Sequence, residues 1–358
     1  MNRMNDLNCL LAEKLVEDIK KDYEASGIAV AIIDKSGKTQ YEKFWGVRDL
    51  ESGKEVNGDT IFGLASVTKS FTALSIMQLE EIDLDAPISQ YIPEFTNKNQ
   101  SKKVTVRHLL SHAGGFFPLP RILVGNVAES LGLDEEKDGD FAYNDAVAQE
   151  GVKLVAERLD AQTKENGLNG QPGEYLSYCN DGFGLLSDII RRYGGEPSYA
   201  DYLVKHVLKP LGMERSFCDF VRPSKDENAA TLYKKVDGVM RGSRDYHDNA
   251  FVLNGGGAMK STLNDLKKYL GMYLNLGKAA DGTRILSEYG VREMCKPRQA
   301  YGAFGNYVYN YVAADQYVQS VYSDQGNFSN ILRRTKDSGF QNQQLYSDYL
   351  LEKGNFFR

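Results

Sequence analysis

The sequence contains no long apolar run and no excess of positive charge. No apolar stretch reaches the roughly 20 residues that a membrane-spanning helix needs, and residues 1–23 have neither the apolar core nor the small-residue cleavage site of a secretory signal. The 43 basic and 49 acidic residues give a formal net charge of −6. Because nucleic-acid binding requires a concentrated basic face, we expect neither a membrane span nor a nucleic-acid partner.

Cysteine and proline are both scarce. The four cysteines, Cys9, Cys179, Cys218 and Cys295, form no Cys-x-x-Cys pair and no spacing typical of zinc ligands. With only 9 prolines in 358 residues, and 42% apolar residues, the composition is not that of a disordered or fibrous chain. We therefore expect a folded cytoplasmic protein with reduced thiols and with neither a metal nor another cofactor.

Two common catalytic signatures are also missing. No Gly-x-Ser-x-Gly elbow is present, which argues against a Ser-His-Asp hydrolase of the α/β type. The glycine-rich turn that begins at Gly255 superficially resembles a phosphate-binding loop. Met259, however, stands where the glycine before the lysine must be, and no suitable strand precedes the turn, so nucleotide binding is excluded.

The apolar patterning divides the chain into sheet-forming ends and a helical middle. Residues 28–34 and 39–45 predict a β-hairpin, and 66–79 predict a buried helix. Residues 85–248 show helical patterns with almost no strand alternation, and the region from about 307 returns to strand-like composition. We predict a discontinuous α/β sheet domain formed by 1–80 and 250–358, and a mainly helical subdomain at 81–249.

The most informative motif is Ser-x-x-Lys at 66–69, which occurs once. Positions i and i+3 of a helix share one face, so the amine of Lys69 can approach the hydroxyl of Ser66. A solvated lysine, with a pKa near ~10.4, is protonated at neutral pH, but desolvation lowers that pKa and makes the amine a plausible base. Lys69 is the one charged residue between 66 and 79, which favours such desolvation. Ser66 and Lys69 are therefore the predicted nucleophile and base.

A second motif, Tyr-x-Asn at 178–180, supplies further polar groups. A phenol such as Tyr178 can pass a proton between nucleophile and leaving group, and the amide of Asn180 can hold both the lysine and a substrate carbonyl. The motif follows Pro172 and Gly173 in a predicted loop that enters an apolar helix at 185–190. A second copy begins at Tyr273 inside a predicted helix, where packing is the simpler interpretation.

These motifs stand within an extended resemblance to a known family. The chain resembles the class C β-lactamase and D-alanyl-D-alanine carboxypeptidase family, the S12-type serine hydrolases, over roughly residues 25–300. The segments that carry the resemblance are 28–31, 59–74, 84–93, 107–115, 172–186, 209–213 and the glycine turn at 255. The resemblance implies an α+β fold of the β-lactamase/transpeptidase type, with a mainly antiparallel sheet flanked by terminal helices and a helical subdomain beside an active-site cleft.

The family's third motif, Lys or His followed by any residue and Gly, has no direct counterpart. The best-placed candidate is 324–327, which assigns substrate binding to Asp324, Gly326 and Asn327; the alternative, Lys336 to Gly339, has one residue too many. An anionic Asp324 would repel the substrate carboxylate that a cation at this position attracts. We therefore expect slow reaction with β-lactams.

The predicted function is a serine hydrolase that forms an acyl-enzyme with an ester, amide or lactam carbonyl. By resemblance, Ser66 attacks the carbonyl, Lys69 and Tyr178 exchange the proton, and Asn180 orients a small-molecule or short-peptide substrate. Two alternatives stay open: a binding scaffold of the same fold in which the altered third motif prevents turnover, and an acyltransferase.

Overall fold

The computed structural model describes residues 13–14, 16–21, 25–34, 36–98, 102–116, 119, 122, 124–138, 144–162, 171–174, 176–246 and 254–296. In this part six strands pair two by two, and all three pairs are antiparallel. The strands are β1 (Gly27–Ile33), β2 (Thr39–Gly46), β3 (Phe62–Gly63), β4 (Leu232–Val236), β5 (Val239–Ser243) and β6 (Lys260–Ser261). The predicted carboxy-terminal strands lie outside the described residues.

Residues 13–14 and 16–21 are helical, and ten further helices follow in the described part. In chain order they are α1 (Thr68–Gln78), α2 (Val106–Leu110), α3 (Val124–Ser130), α4 (Glu135–Asp138), α5 (Asp145–Asp160), α6 (Asn180–Tyr193), α7 (Tyr199–Leu203), α8 (Arg222–Lys225), α9 (Leu263–Leu274) and α10 (Glu288–Met294). Tighter 3-10 turns lie at Ala65–Val67, Ile88–Gln90 and Asn254–Gly256, and a π-helical turn at Val204–Leu208. Among the described helices, none combines the length and the apolar character that crossing a bilayer demands.

The predicted amino-terminal hairpin is confirmed. Strands β1 and β2 pair from Gly27 opposite Gly46 to Ile33 opposite Thr39. Gly46 has φ +67°, and a Cβ atom there would lie 2.1 Å from the carbonyl oxygen of Ser26, so this corner accepts only glycine. The hairpin packs against α9.

The short pair of β3 and β6 joins distant parts of the chain directly beside the site. Phe62 pairs with Ser261 and Gly63 with Lys260. The backbone N–H of Leu64 then donates to the carbonyl of Met259 at 2.8 Å. The segment that leads into α1 is thereby fixed to the segment that leaves the 254–256 turn.

Helix α1 is buried along most of its length. Phe71, Leu74 and Ile76 are fully buried, as the almost uncharged sequence of this helix predicts. Other large, fully buried side chains are Phe95, Phe116, Leu159, Leu185, Leu186 and Ile189, of which the last three lie on α6. Helix α6 packs against α1, α2, α5, α7 and the 254–256 turn, so it ties the middle of the chain to both flanks.

The middle of the chain is mainly helical, with one exception that the sequence patterning did not predict. The hairpin of β4 and β5 lies at 232–243, and its outer strand is exposed throughout. Such a hairpin has no buried face, so its sequence lacks the apolar alternation that identifies a strand. The signal that could have found it is the turn pair Asp237 and Gly238, both at positive φ (50° and 78°), since Asp-Gly favours tight hairpin turns.

Candidate active site

Ser66 lies in the 3-10 turn immediately before α1 and is half-buried. The residue before it, Ala65, has φ +44°, a left-handed conformation that costs energy in any residue with a Cβ atom. The turn is held by the Leu64 to Met259 hydrogen bond and by a bond from the N–H of Val67 to the carbonyl of Leu64 at 3.0 Å. Strained backbone held in place by its surroundings is characteristic of functional sites.

Lys69 is buried on α1, with 3% of its surface exposed. Its Nζ donates to Ser66 Oγ at 3.1 Å, to Asn180 Oδ1 at 2.7 Å and to the carbonyl oxygen of Gly256 at 2.7 Å. The rings of Tyr178 and Phe183 also face the amine, with centroids at 4.9 and 5.6 Å. The amine therefore sits in a largely desolvated pocket of acceptors and aromatic rings, one helical turn from Ser66.

Tyr178 contacts Ser66 from a segment that is distant in the sequence. Its phenol O–H donates to Ser66 Oγ at 2.7 Å, and the side chain is 3% exposed. Ser66 Oγ is therefore within hydrogen-bond distance of both an amine and a phenol. The two groups come from segments more than a hundred residues apart, brought together by the packing of α6 against α1.

Asn180 is the first residue of α6 rather than part of a loop ahead of it. Its side-chain oxygen accepts from Lys69, and the helix that it begins is buried along 182–190. The structure thus brings together Ser66, Lys69, Tyr178 and Asn180, the four predicted site residues that lie in its described part. The predicted substrate-binding residues Asp324, Gly326 and Asn327 lie outside the described residues.

The third acceptor of Lys69 is the carbonyl of Gly256, which the sequence motifs did not predict. It is delivered by the 254–256 turn, which approaches α6 so closely that a Cβ atom on Gly255 would lie 2.4 Å from the carbonyl oxygen of Phe183. Thr72 Oγ1 of α1 donates to the carbonyl of Gly255 at 2.8 Å and holds the turn from the other side. The signal available in the sequence was the run of three glycines, which permits such an approach.

No metal centre is visible in the region that the structure describes. Within it, no three His, Cys, Asp or Glu side chains converge in a way that could hold a metal ion. The polar groups around Ser66 are an amine, a phenol, an amide and a backbone carbonyl. This set can move protons and hold a carbonyl substrate.

Comparison with known proteins identifies the family of the chain. The Beta-lactamase family profile matches residues 12–338. The chain belongs to the Beta-lactamase family. Esterase EstB of Burkholderia gladioli is 32% identical over 213 residues, which cover 57% of this chain and 50% of EstB. The human serine beta-lactamase-like protein LACTB, mitochondrial, is 25% identical over 308 residues, which cover 71% of this chain and 54% of LACTB.

Among solved structures, the octameric penicillin-binding protein homologue from Pyrococcus abyssi superimposes with a TM-score of 0.65 at 28% identity. The match covers 86% of this chain and 64% of the Pyrococcus chain. The predicted α+β fold of the β-lactamase type is confirmed by this likeness. The chain spans about half the length of the two curated relatives just described.

Proposed function

We propose that the chain is a serine hydrolase that forms an acyl-enzyme on Ser66. The observation that carries this proposal is the position of Ser66 Oγ, 3.1 Å from Lys69 Nζ and 2.7 Å from the phenol oxygen of Tyr178. A hydroxyl is a weak nucleophile unless a neighbouring base takes its proton. Here the base and a second proton carrier are both in contact with it.

In the proposed acylation, Ser66 Oγ bonds to the substrate carbonyl carbon while its proton passes to the neutral amine of Lys69. The O–H of Tyr178 protonates the leaving group as that bond breaks, and the proton held on Lys69 restores the phenol. Water then attacks the acyl carbon by the reverse path and frees Ser66. The backbone N–H of Ser66, at the amino-terminal end of α1, supports the negative charge that develops on the carbonyl oxygen.

The substrate that we propose is a small ester, with amides and lactams as slower alternatives. The support for an ester is the similarity to EstB, an esterase. The prediction that Asp324 repels a substrate carboxylate adds to the preference for neutral substrates over penicillins.

The test is intact-mass analysis after incubation with a fluorophosphonate, a chromogenic acyl ester and a penicillin. We expect the fluorophosphonate and the ester to add to Ser66, and the penicillin to add slowly or not at all. Ser66→Ala should abolish the adducts. Ser70→Ala is the matched control, because Ser70 lies four residues further along, in the first turn of α1, and its hydroxyl bonds to the carbonyl of Val67 and to Tyr269.

Absence of any adduct on the intact protein would overturn the proposal in favour of a binding scaffold without turnover. Rapid hydrolysis of penicillin would contradict the interpretation of Asp324. Adding alcohol or amine acceptors to the ester reaction distinguishes the acyltransferase alternative, since a transferase would form the new ester or amide in place of the free acid.

We also propose a reducing, cytoplasmic compartment. The support is that all three described cysteines, Cys179, Cys218 and Cys295, are free thiols, and two of them are buried. Disulfides are rare where cytosolic reductants keep thiols reduced. Fractionation of cells that express the chain tests this, and recovery from an oxidising compartment would contradict it.

A further inference from the structure

The loop that carries Tyr178 has no regular secondary structure at 176–179, yet it must hold the phenol at hydrogen-bond distance from Ser66. Both residues next to Tyr178 donate a backbone hydrogen bond to the same residue, His112. The N–H of Ser177 donates to the carbonyl of His112 at 2.6 Å, and the N–H of Cys179 donates to His112 Nδ1 at 3.2 Å. One residue therefore fixes the backbone before and after the phenol.

His112 also contacts the phenol ring itself. The imidazole and the Tyr178 ring have centroids 4.2 Å apart at an interplanar angle of 34°, and the Phe183 ring lies 4.9 Å from the same imidazole. Only 2% of His112 is exposed. The ring of Tyr178 is thus restrained by packing as well as through its backbone.

The backbone of His112 is itself unusual, with φ +52°. Its N–H donates to the carbonyl of Leu109 at 3.2 Å, and the N–H of Ala113 donates to the carbonyl of His108 at 2.7 Å, so the end of α2 imposes this conformation. Non-glycine residues rarely adopt it, and asparagine, aspartate and histidine do so most readily. The strain places the imidazole where Cys179 can reach it.

The protonation state of His112 fits an accepting role. Burial, and secondarily the charge of Lys69, holds the pKa of His112 well below its usual value. The ring is neutral at physiological pH, and Nδ1 accepts from Cys179, which leaves the ring proton on Nε2. A protonated ring could not accept this bond.

We propose that His112 is a positioning residue for the acylation of Ser66. It holds Tyr178 through one carbonyl, one ring nitrogen and one ring face, so that the phenol O–H stays directed at Ser66 Oγ. These two hydrogen bonds and this ring contact all act on Tyr178 or on its two chain neighbours, so the positioning effect of His112 reaches Ser66 through Tyr178. The inference rests on the proposed function, because positioning matters only if Ser66 is acylated.

The test compares His112→Asn with His112→Leu in single-turnover acylation by a chromogenic ester. Asparagine tolerates positive φ and carries a side-chain oxygen near the position of Nδ1, whereas leucine has the same branching and no acceptor. We expect His112→Leu to lower the limiting acylation rate by about 10- to 100-fold, the order of loss that misplacement of a reacting group causes. The ester concentration at half-saturation should stay within about twofold, and His112→Asn should recover most of the rate.

Equal losses in the two variants, or a change in half-saturation with an unchanged limiting rate, would overturn the positioning role. If His112→Leu does not fold, His112→Gly replaces it, because glycine accepts positive φ and also lacks the acceptor: a rate well below that of His112→Asn supports the role, and equal rates overturn it. The wild-type adduct mass separates the two proposals. Without a Ser66 adduct both fail, whereas a wild-type rate in His112→Leu refutes the positioning role alone.

Discussion

The amine of Lys69 is surrounded by two kinds of hydrogen-bonding partner. Asn180 Oδ1 and the carbonyl of Gly256 can only accept, whereas Ser66 Oγ can accept or donate. As an ammonium, Lys69 donates to all three atoms. As a neutral amine, it donates to the two obligate acceptors and receives the O–H of Ser66 on its lone pair. The site can therefore hold either protonation state without moving a heavy atom, and the proton that changes place is the one shared with Ser66.

Burial of the His112 imidazole predicts how the free energy of unfolding depends on pH. Its pKa is lowered in the folded state, chiefly by burial, so below about pH 6.5 the unfolded chain binds a proton that the folded chain does not. The free energy of unfolding therefore rises with pH in this window and falls as the pH decreases, by at most about 1.4 kcal/mol per pH unit for one such group.

His112→Asn removes this group and should flatten the acid side of the stability curve. Urea unfolding at pH 5 and pH 7 measures the effect, with the wild type losing more free energy of unfolding than the variant between the two values. The half-buried His108, whose pKa is also lowered by burial, remains in both proteins and sets the background slope. Identical slopes in the two proteins would show that His112 is not kept neutral by the fold.

At the scale of elements, the sequence predicted the helices that carry the site more accurately than their first turns. Helix α6 was predicted from 185, but it begins at Asn180. Two glycines, Gly182 and Gly184, weaken the helical signal in that first turn. Gly182 is suited to its place because α6 packs closely on α2: a Cβ atom there would lie 3.3 Å from Leu109. Such tertiary contacts are not visible in local patterning.

The contact between α6 and the 254–256 turn gives a prediction for Gly255→Ala. The new Cβ atom would lie 2.4 Å from the carbonyl oxygen of Phe183 and 2.7 Å from Ser187 Cβ, so the turn must move and the carbonyl of Gly256 must leave Lys69. We expect the acylation rate to fall by about 10- to 100-fold and the free energy of unfolding by about 1–3 kcal/mol. Single-turnover acylation and urea unfolding measure the two effects.

A matched control for this substitution is Gly125→Ala. Gly125 lies in α3, where nothing stands within 4 Å of an added Cβ atom. This variant should keep the acylation rate and change the free energy of unfolding by less than about 0.5 kcal/mol, because Gly125 is exposed in the first turn of α3. If Gly255→Ala behaved like this control, the close approach of the turn to α6 would not determine the position of the Gly256 carbonyl.

At the scale of the whole molecule, the two predicted parts of the chain share one core. The cluster of buried apolar residues runs from Phe71 in α1 through the helical middle to Met259, Met272 and Val291. The ring of Phe71 stacks on Tyr269 of α9 at 3.9 Å, and α9 in turn packs against the hairpin of β1 and β2. The division into 1–80 with 250–358 and 81–249 stays a prediction, because the strands expected to complete the first part lie beyond the described residues.

A shared core predicts one cooperative unfolding transition, and Leu186→Ala tests it. Leu186 is fully buried in α6, within the predicted helical subdomain, whereas Trp45, the one tryptophan of the chain, lies on β2 in the predicted sheet domain. Removing the leucine side chain should lower the free energy of unfolding by about 2–5 kcal/mol. Because the hairpin reaches α1 through α9, tryptophan fluorescence and far-UV circular dichroism should shift to the same lower urea midpoint.

Leu131→Ala provides the comparison, since Leu131 is 40% exposed and its truncation should change stability by less than about 0.5 kcal/mol. A fluorescence midpoint that stayed at its wild-type value while the circular dichroism midpoint fell would mean that the hairpin and α6 unfold independently. The site would then be assembled across two separately stable units, because Ser66 and Lys69 come from one predicted part and Tyr178 and Asn180 from the other. Coincident shifts mean instead that the distances around Ser66 Oγ are fixed by a single folding event.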